Sequence, residues 1–189
     1  MSITRAGFLR GAACLALTGI AVPAARAADR DVVAVLAARG DFQRFLELCQ
    51  RASVTEELKT PGPFTLFAPT DAAFARIPAG LIDELAGAGE TPPDMVRLRA
   101  LVTYHVVPGA HRSTGWTNTQ ELATLNGAKL RVDVPQGEAM RVLNPTNPTL
   151  HTGGFGAGGH ATNRIAAITA ADITASNGVV HAIDNVLLP

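Results

Sequence analysis

The chain has little of what usually staples small exported domains or binds nucleic acid. Among its 189 residues there are two cysteines, Cys14 and Cys49, one tryptophan and one tyrosine. Two cysteines allow at most one internal disulfide, and a single survivor of leader cleavage allows none, so stability has to come from apolar burial. Lysine occurs only at Lys59 and Lys129, and 16 basic residues stand against 16 acidic ones. Without a basic surplus or cluster, phosphate backbones and anionic membrane surfaces are poor partners, so the sequence excludes nucleic-acid binding. No apolar run approaches the roughly 20 residues that a transmembrane helix needs. Phosphate-loop, dinucleotide-binding and G-x-S-x-G signatures are all missing.

What is present begins with an address. Arg5 and Arg10 precede a short apolar run from Gly11 to Val22, and Ala25-Arg26-Ala27 fits the small-x-small pattern before a cleavage site. Residues 1–27 therefore read as a signal peptide, by the general secretory route, because Ala6 stands where a twin-arginine signal has its second arginine. The expected location is periplasmic or secreted. Cleavage removes 27 of 189 residues, which leaves one domain of ordinary size over 28–189. It also removes Arg5, Arg10 and Arg26 but no acid, so 16 acidic residues face three fewer basic ones and the charge falls to −3. Cys49 alone remains, on an apolar helical face.

Helical signals fill the first half. Asp31 precedes Val32, Val33 and Leu36, with Gly40 as terminator. Asp41 reads as the start of a second helix, whose Phe42, Phe45, Leu46 and Cys49 recur at i, i+3, i+4 and i+7. Val54 to Leu58 adds a turn, which Pro61-Gly62-Pro63 stops. Phe64 to Ala68 reads as a strand, followed by a helix capped by Thr70 or Asp71. A short helix is expected over Leu81 to Leu85, and another after Thr91-Pro92-Pro93-Asp94 with Met95, Leu98, Leu101 and Val102 on its buried face.

The period then changes. Tyr104 to Val107 reads as a strand closed by Pro108-Gly109. Leu122–Leu125 and Ala128–Val134 flank Asn126-Gly127, a type I′ hairpin signal. Met140–Leu143, Ile165–Ile168, Asp172–Ser176 and a long final strand from Val179 to Leu188 complete the set. Helices first and strands later predict an α+β fold. Residues 144–163, with seven residues of mostly glycine from Gly153 to Gly159, read as an inserted loop.

Phe64-Thr65-Leu66-Phe67-Ala68-Pro69-Thr70-Asp71-Ala72-Ala73-Phe74, Tyr104-His105-Val106-Val107-Pro108-Gly109 and Asn177-Gly178-Val179-Val180-His181-Ala182-Ile183-Asp184-Asn185-Val186-Leu187-Leu188-Pro189 occur in that order. With these three stretches the chain resembles a fasciclin-type domain over roughly Asp31 to Pro189. The resemblance implies a wedge-shaped β-sandwich with short helices packed alongside, an exported protein, and a role in adhesion or partner binding without catalysis. It implies that Tyr104 and His105 belong to a partner-binding region, although a buried, backbone-bonded histidine is the alternative. Thr70, Asp71, Asn177, Gly178 and His181 read as structural motif residues.

The remaining polar residues suggest no reaction centre. His111, His151 and His160 lack the close spacing of zinc ligands, so no metal and no cofactor are expected. Ser53, Ser113 and Ser176 have no surrounding nucleophile motif, although Asp71, Asp172 and Asp184 are available as acids if the fold brings them together. The reading is an exported module that recognises an extracellular or envelope protein or polysaccharide. The alternative is a carrier of an apolar small molecule, a pigment or lipid.

Overall fold

A computed structural model describes residues 30–77, 80, 82, 94–145 and 165–189. The leader, the helix expected over Leu81 to Leu85 apart from Ile82, the prolines Pro92 and Pro93, and the glycine-rich segment from residue 146 onward lie outside the described residues.

The helices form where short polar residues meet apolar stripes. Asp31 accepts from Ala34 N at 2.7 Å and opens α1 (Val32–Arg39), which ends on Gly40 at φ 78°. Only glycine takes that left-handed angle without a Cβ penalty. Helix α2 (Gln43–Arg51) buries Phe45, Leu48 and Cys49. Its start corrects the sequence reading: Phe42, not Asp41, is the N-cap, and the side chain that serves the first turn comes from elsewhere in the chain. Asp71 accepts from Gln43 N at 3.2 Å and Arg44 N at 2.9 Å, while Asp41 offers its carbonyl to Asp71 N at 2.8 Å. Helix α3 (Thr55–Leu58) follows, and α4 (Asp71–Phe74) is capped by Thr70 through Ala73 N.

Helix α5 (Met95–Tyr104) opens on Asp94, which accepts from Arg97 N at 3.0 Å. Leu98, Leu101 and Val102 are buried as the sequence implies, but Met95 in the first turn is 44% exposed. The expected strand over Tyr104 to Val107 is shorter, because the helix runs through Tyr104 and His105 is its C-cap. Leu98, Leu101, Val102 and His105 stand at i, i+3, i+4 and i+7, so His105 completes the buried helical stripe, and burial overrides local β-propensity.

Seven strands form one continuous ladder in the order β2-β1-β7-β6-β5-β4-β3. They are β1 (Phe64–Pro69), β2 (Val106–Pro108), β3 (Gln120–Ala123), β4 (Lys129–Asp133), β5 (Arg141–Leu143), β6 (Ile165–Ala175) and β7 (Gly178–Ile183). All neighbours are antiparallel except β1 and β7, which pair in parallel from Phe64↔Gly178 to Pro69↔Ile183. The first and last sequence motifs are thus adjacent central strands.

Strand β6 is one element where the sequence suggested two. It pairs with β5 through Ile165–Ala167 and with β7 from Ile168 onward, and its register shifts twice between Ile168 and Ile173. Such bulges bend a strand, and the ladder turns back on itself here. Leu125 N donates to Val106 O at 2.8 Å, which ties the β3–β4 hairpin to β2 at the other end of the ladder. One apolar core lies between helices and sheet, around Leu36, Phe45, Leu66 and Leu98. The other lies within the folded sheet, around Phe67, Trp116, Leu130 and Ile183.

Two local details differ from the sequence reading. The β3–β4 hairpin turns through Thr124 O accepting from Gly127 N at 3.0 Å, and Gly127 is at φ 85°. Asn126 is not among the described residues at positive φ, so the turn is not type I′, which requires two such residues. The final strand stops at Ile183 rather than Leu188. Asp184 leaves the ladder, its carboxylate accepting from Ala167 N at 2.7 Å, and Val186 and Leu187 bury against the two cores.

Candidate functional site

The polar residues of the motifs gather at a few interior nodes. Asn177 sits in the turn before β7. Its side chain accepts from Val32 N at 2.9 Å and donates to Leu58 O at 2.8 Å and Thr60 O at 3.0 Å. One amide thereby joins α1, the end of α3 and the entry to β1. Gly178 lies against the start of β1, where an added Cβ would stand 2.2 Å from Phe64 O.

Tyr104 and His105 are enclosed, at 0% and 1% exposure. The Tyr104 hydroxyl donates to Lys129 O at 3.0 Å. His105 Nδ1 lies 2.8 Å from Leu101 O, and Nε2 accepts from Leu187 N at 3.1 Å. This pattern fixes the neutral tautomer with the proton on Nδ1. Burial lowers the imidazole pKa to about 4, against the raising effect of the Leu101 carbonyl. Direct contact with a partner, expected of Tyr104 and His105, is not open to side chains packed this way: the helical end turns both inward.

His181 makes the corresponding bridge on β7. It is fully buried and stacks near Phe67 and Trp116, with ring centroids 5.5 Å and 4.8 Å away. Nδ1 accepts from Asp172 N at 3.3 Å, and Nε2 lies 2.9 Å from His111 O. The β6 bulge frees the Asp172 amide from the ladder, and the imidazole satisfies it. Burial lowers the His181 pKa, against the raising effects of the His111 carbonyl and the Asp172 charge, with His111 adding to the lowering.

The loop from Gly109 to Trp116 is held to this node. Thr65 Oγ1 donates to Gly109 O at 2.6 Å and accepts from His111 N at 2.8 Å. Asp172, at φ 58°, accepts from Ser113 N at 2.8 Å and from the Ser113 hydroxyl. Burial raises the Asp172 carboxyl pKa, but the Ser113 bonds, with His181 and Arg112 nearby, outweigh it and hold the group below the usual range.

Serine, acid and histidine therefore converge at Ser113, Asp172 and His181. The wiring is not that of a nucleophile and its base, because the hydroxyl donates to the carboxylate and both imidazole nitrogens are engaged with backbone. Sequence reasoning missed this node. The sequence offers Ser113 and Asp172 only as separate candidates, and the break between Ile168 and Asp172 is the one local sign of the bend that joins them. Of the metal reading, His151 and His160 lie outside the described residues, and His111 Nε2 lies 3.1 Å from Pro108 O. Cys49 is buried, and burial pushes its thiol up to about 12, with a backbone hydrogen bond opposing, so it stays a protonated, unreactive small hydrophobe.

The fasciclin domain family model matches residues 40–189. The chain belongs to the fasciclin domain family. Protein sll1483 of Synechocystis is 34% identical over 158 residues, 84% of this chain and 73% of that protein. Human periostin is 28% identical over 152 residues, 80% of this chain but 15% of periostin. Immunogenic protein MPB70 of Mycobacterium bovis is 32% identical over 128 residues, 68% of this chain and 51% of MPB70. Among solved structures, a FAS1 domain pair from the insect cell adhesion molecule Fasciclin I shares the fold at a TM-score of 0.55 and 17% identity. That match covers 79% of this chain and 46% of the other, so the chain spans less than half of that structure. No helix among the described residues is long and apolar enough to cross a membrane.

Proposed function

We propose that this fasciclin domain is an exported adhesion or binding module that recognises an envelope or extracellular protein or polysaccharide. The observation that carries the reading is the commitment of the motif side chains to holding the fold together, three of them buried and Asp71 and Asn177 half-buried. Asn177, Asp71, Tyr104, His105 and His181 each make a hydrogen bond to a backbone group of another segment. The family signature thus specifies a frame, and recognition falls to the outer loops and faces. The insect Fasciclin I, which shares the fold, is a cell adhesion molecule, in keeping with this reading.

Export follows from the leader, with Ala28 as the first mature residue. N-terminal sequencing of protein recovered from the periplasm or medium tests this, and an intact Met1 there would refute it. The binding reading is tested by co-sedimentation of the mature protein with isolated envelope and polysaccharide fractions. Saturable retention is expected, and uniform failure to sediment would end the reading.

One observation favours carriage of an apolar small molecule instead. Met95 and Val96, the latter 80% exposed, line an open depression of about 530 Å³ with Ala100 and Leu125, beside the Glu57–Arg99 ion pair, Thr103 and Asn126, which form its polar half. If this is the function, native protein yields extractable pigment or lipid, and Val96→Asp abolishes its uptake. A colourless, lipid-free preparation with no thermal shift across apolar ligands excludes it.

A further inference from the structure

A second depression, of about 400 Å³, opens where the parallel strands β1 and β7 begin. Pro61, Gly62 and Pro63 form one side, and Ser176, Asn177 and Gly178 another, with Arg112 at the rim. Neither glycine can carry a side chain: a Cβ on Gly62 would stand 2.1 Å from Asn177 O, and one on Gly178 would stand 2.2 Å from Phe64 O. The two strand starts therefore meet backbone to backbone here, and Ala110, Ala175 and Val179 complete the lining.

Arg112 is exposed, and among the described residues its guanidinium has no ion-pair partner. The acid within electrostatic reach is Asp172, and both of its oxygens accept from Ser113. Ser113 takes one acceptor position on each Asp172 oxygen; the carboxylate keeps its charge and attracts Arg112 without forming an ion pair with it. Ser176 is exposed, and its hydroxyl has no partner among the described residues, while its backbone N–H is held by Arg30 O at 2.7 Å. An exposed cation, a free hydroxyl and two proline rings thus surround a hollow in the size range of ligand sites, roughly 300–1,000 Å³.

We propose that this depression is a subsite for the carboxylate of an acidic polysaccharide, a uronate-bearing glycan, anchored by Arg112. The proposal rests on the binding-module reading above and narrows it to a ligand class. A guanidinium presents parallel N–H donors that match a carboxylate, and such charge-assisted pairs are the stronger hydrogen bonds. Ser176 offers a hydroxyl to a sugar hydroxyl, and the proline rings offer C–H faces. We favour a sugar over an acidic peptide because the hollow offers a hydroxyl and proline faces beside the cation, and peptide binding by strand addition needs a free sheet edge. Here β1 and β7 are paired on both sides, and the hollow has no edge to extend.

Trigalacturonate is the probe, titrated into the folded domain and followed by amide chemical shifts. Saturable shifts centred on Arg112, Ser176 and Gly178 are expected, weakening as salt rises. Arg112→Gln weakens binding about tenfold or more, and Arg112→Lys keeps part of it, because lysine retains the charge but loses the fork. Arg44→Gln, at an exposed arginine on α2, leaves binding unchanged. Among the described residues the Arg112 side chain makes no hydrogen bond, so its variants are expected to melt close to the parent, and a melt of each variant separates folding from binding.

The methyl-esterified, neutral trimer binds at least as weakly as the Arg112→Gln variant binds trigalacturonate. Absence of saturable shifts, equal binding of the ester, indifference to Arg112→Gln, or equal binding of a tetraglutamate peptide would each overturn the proposal. A domain that sediments with envelope material but ignores trigalacturonate ends this proposal and leaves the wider reading standing. Saturable trigalacturonate binding without retention on envelope material supports the subsite and confines the wider reading to acidic glycans.

Discussion

His105 and His181 are each wired between a backbone acceptor and a backbone donor, and both work only as neutral rings. A proton added to His105 Nε2 or His181 Nδ1 would set an N–H against the N–H of Leu187 or Asp172. Their folded pKa values lie below the ordinary histidine value, so between the two the unfolded chain binds more protons. Stability is full above the unfolded value and falls as pH drops through 6.5, with the His105 loss levelling off near its folded value of about 4. The His105 part is on the order of 3 kcal/mol between neutral pH and pH 4. Denaturant midpoints measured from pH 7.5 to pH 4 check this, and His105→Gln is expected to flatten the slope while lowering stability at pH 7. The groups facing His181 are Asp172 and His111, with Arg112 beyond Asp172. Asp172 stays ionised throughout this range and does not reverse the sign.

Thr70 and Asp71 are neighbours that start different helices. Thr70 caps its own helix, α4, and Asp71 caps α2 across the fold. Losing either leaves helix N–H groups without partners, which costs about 1 kcal/mol for an ordinary cap. Asp71→Ala is expected to cost more than Thr70→Ala, up to about 2 kcal/mol, because it frees two amides and a contact between segments. Equilibrium urea unfolding of both variants tests the order. Between strands β1 and β7 the limiting feature is Gly178. Alanine there drives a methyl group into the Phe64 carbonyl, and neither strand has room to move because each is paired on both sides. Gly178→Ala is therefore expected to destabilise the domain by roughly 3 kcal/mol or more, in the range of severe core disruptions. Gly127→Ala, with nothing within 4 Å but φ at 85°, is expected to cost only about 1 kcal/mol.

The two cores share β1, β7 and β6 as a common wall, so the described residues are expected to unfold as one cooperative unit. Trp116, the only tryptophan, stands in the core inside the folded sheet. Its fluorescence reports that core, while far-UV circular dichroism reports the helices of the other. Coincident unfolding curves from the two probes are expected. Separate transitions would show that the helical layer melts alone. Deleting Thr152 to Gly159 is expected to leave this cooperative melt intact, because a glycine-rich stretch buries little. A lost melt would show that the segment contributes to the fold.

Elements bounded by local chemistry were legible without coordinates. Asp31 and Gly40 marked both ends of α1, Pro61-Gly62-Pro63 marked the entry to β1, and period-3.6 stripes marked α2 and most of α5. In each case the signal and the structure it specifies lie within one turn of helix or one strand. The misreadings fall where a distant segment decides. Asp71 displaces Asp41 at α2, the buried stripe carries α5 through Tyr104, and the bulge fuses two expected strands into β6. The candidate site divides the same way: side-chain chemistry at Arg112, Ser113, Asp172 and His181 is written in the sequence, but their meeting is not. Residues 59 or 70 positions apart come together only when β1 lies beside β7 and β6 bends, because hydrogen bonds between segments depend on closure of the sheet rather than on sequence spacing.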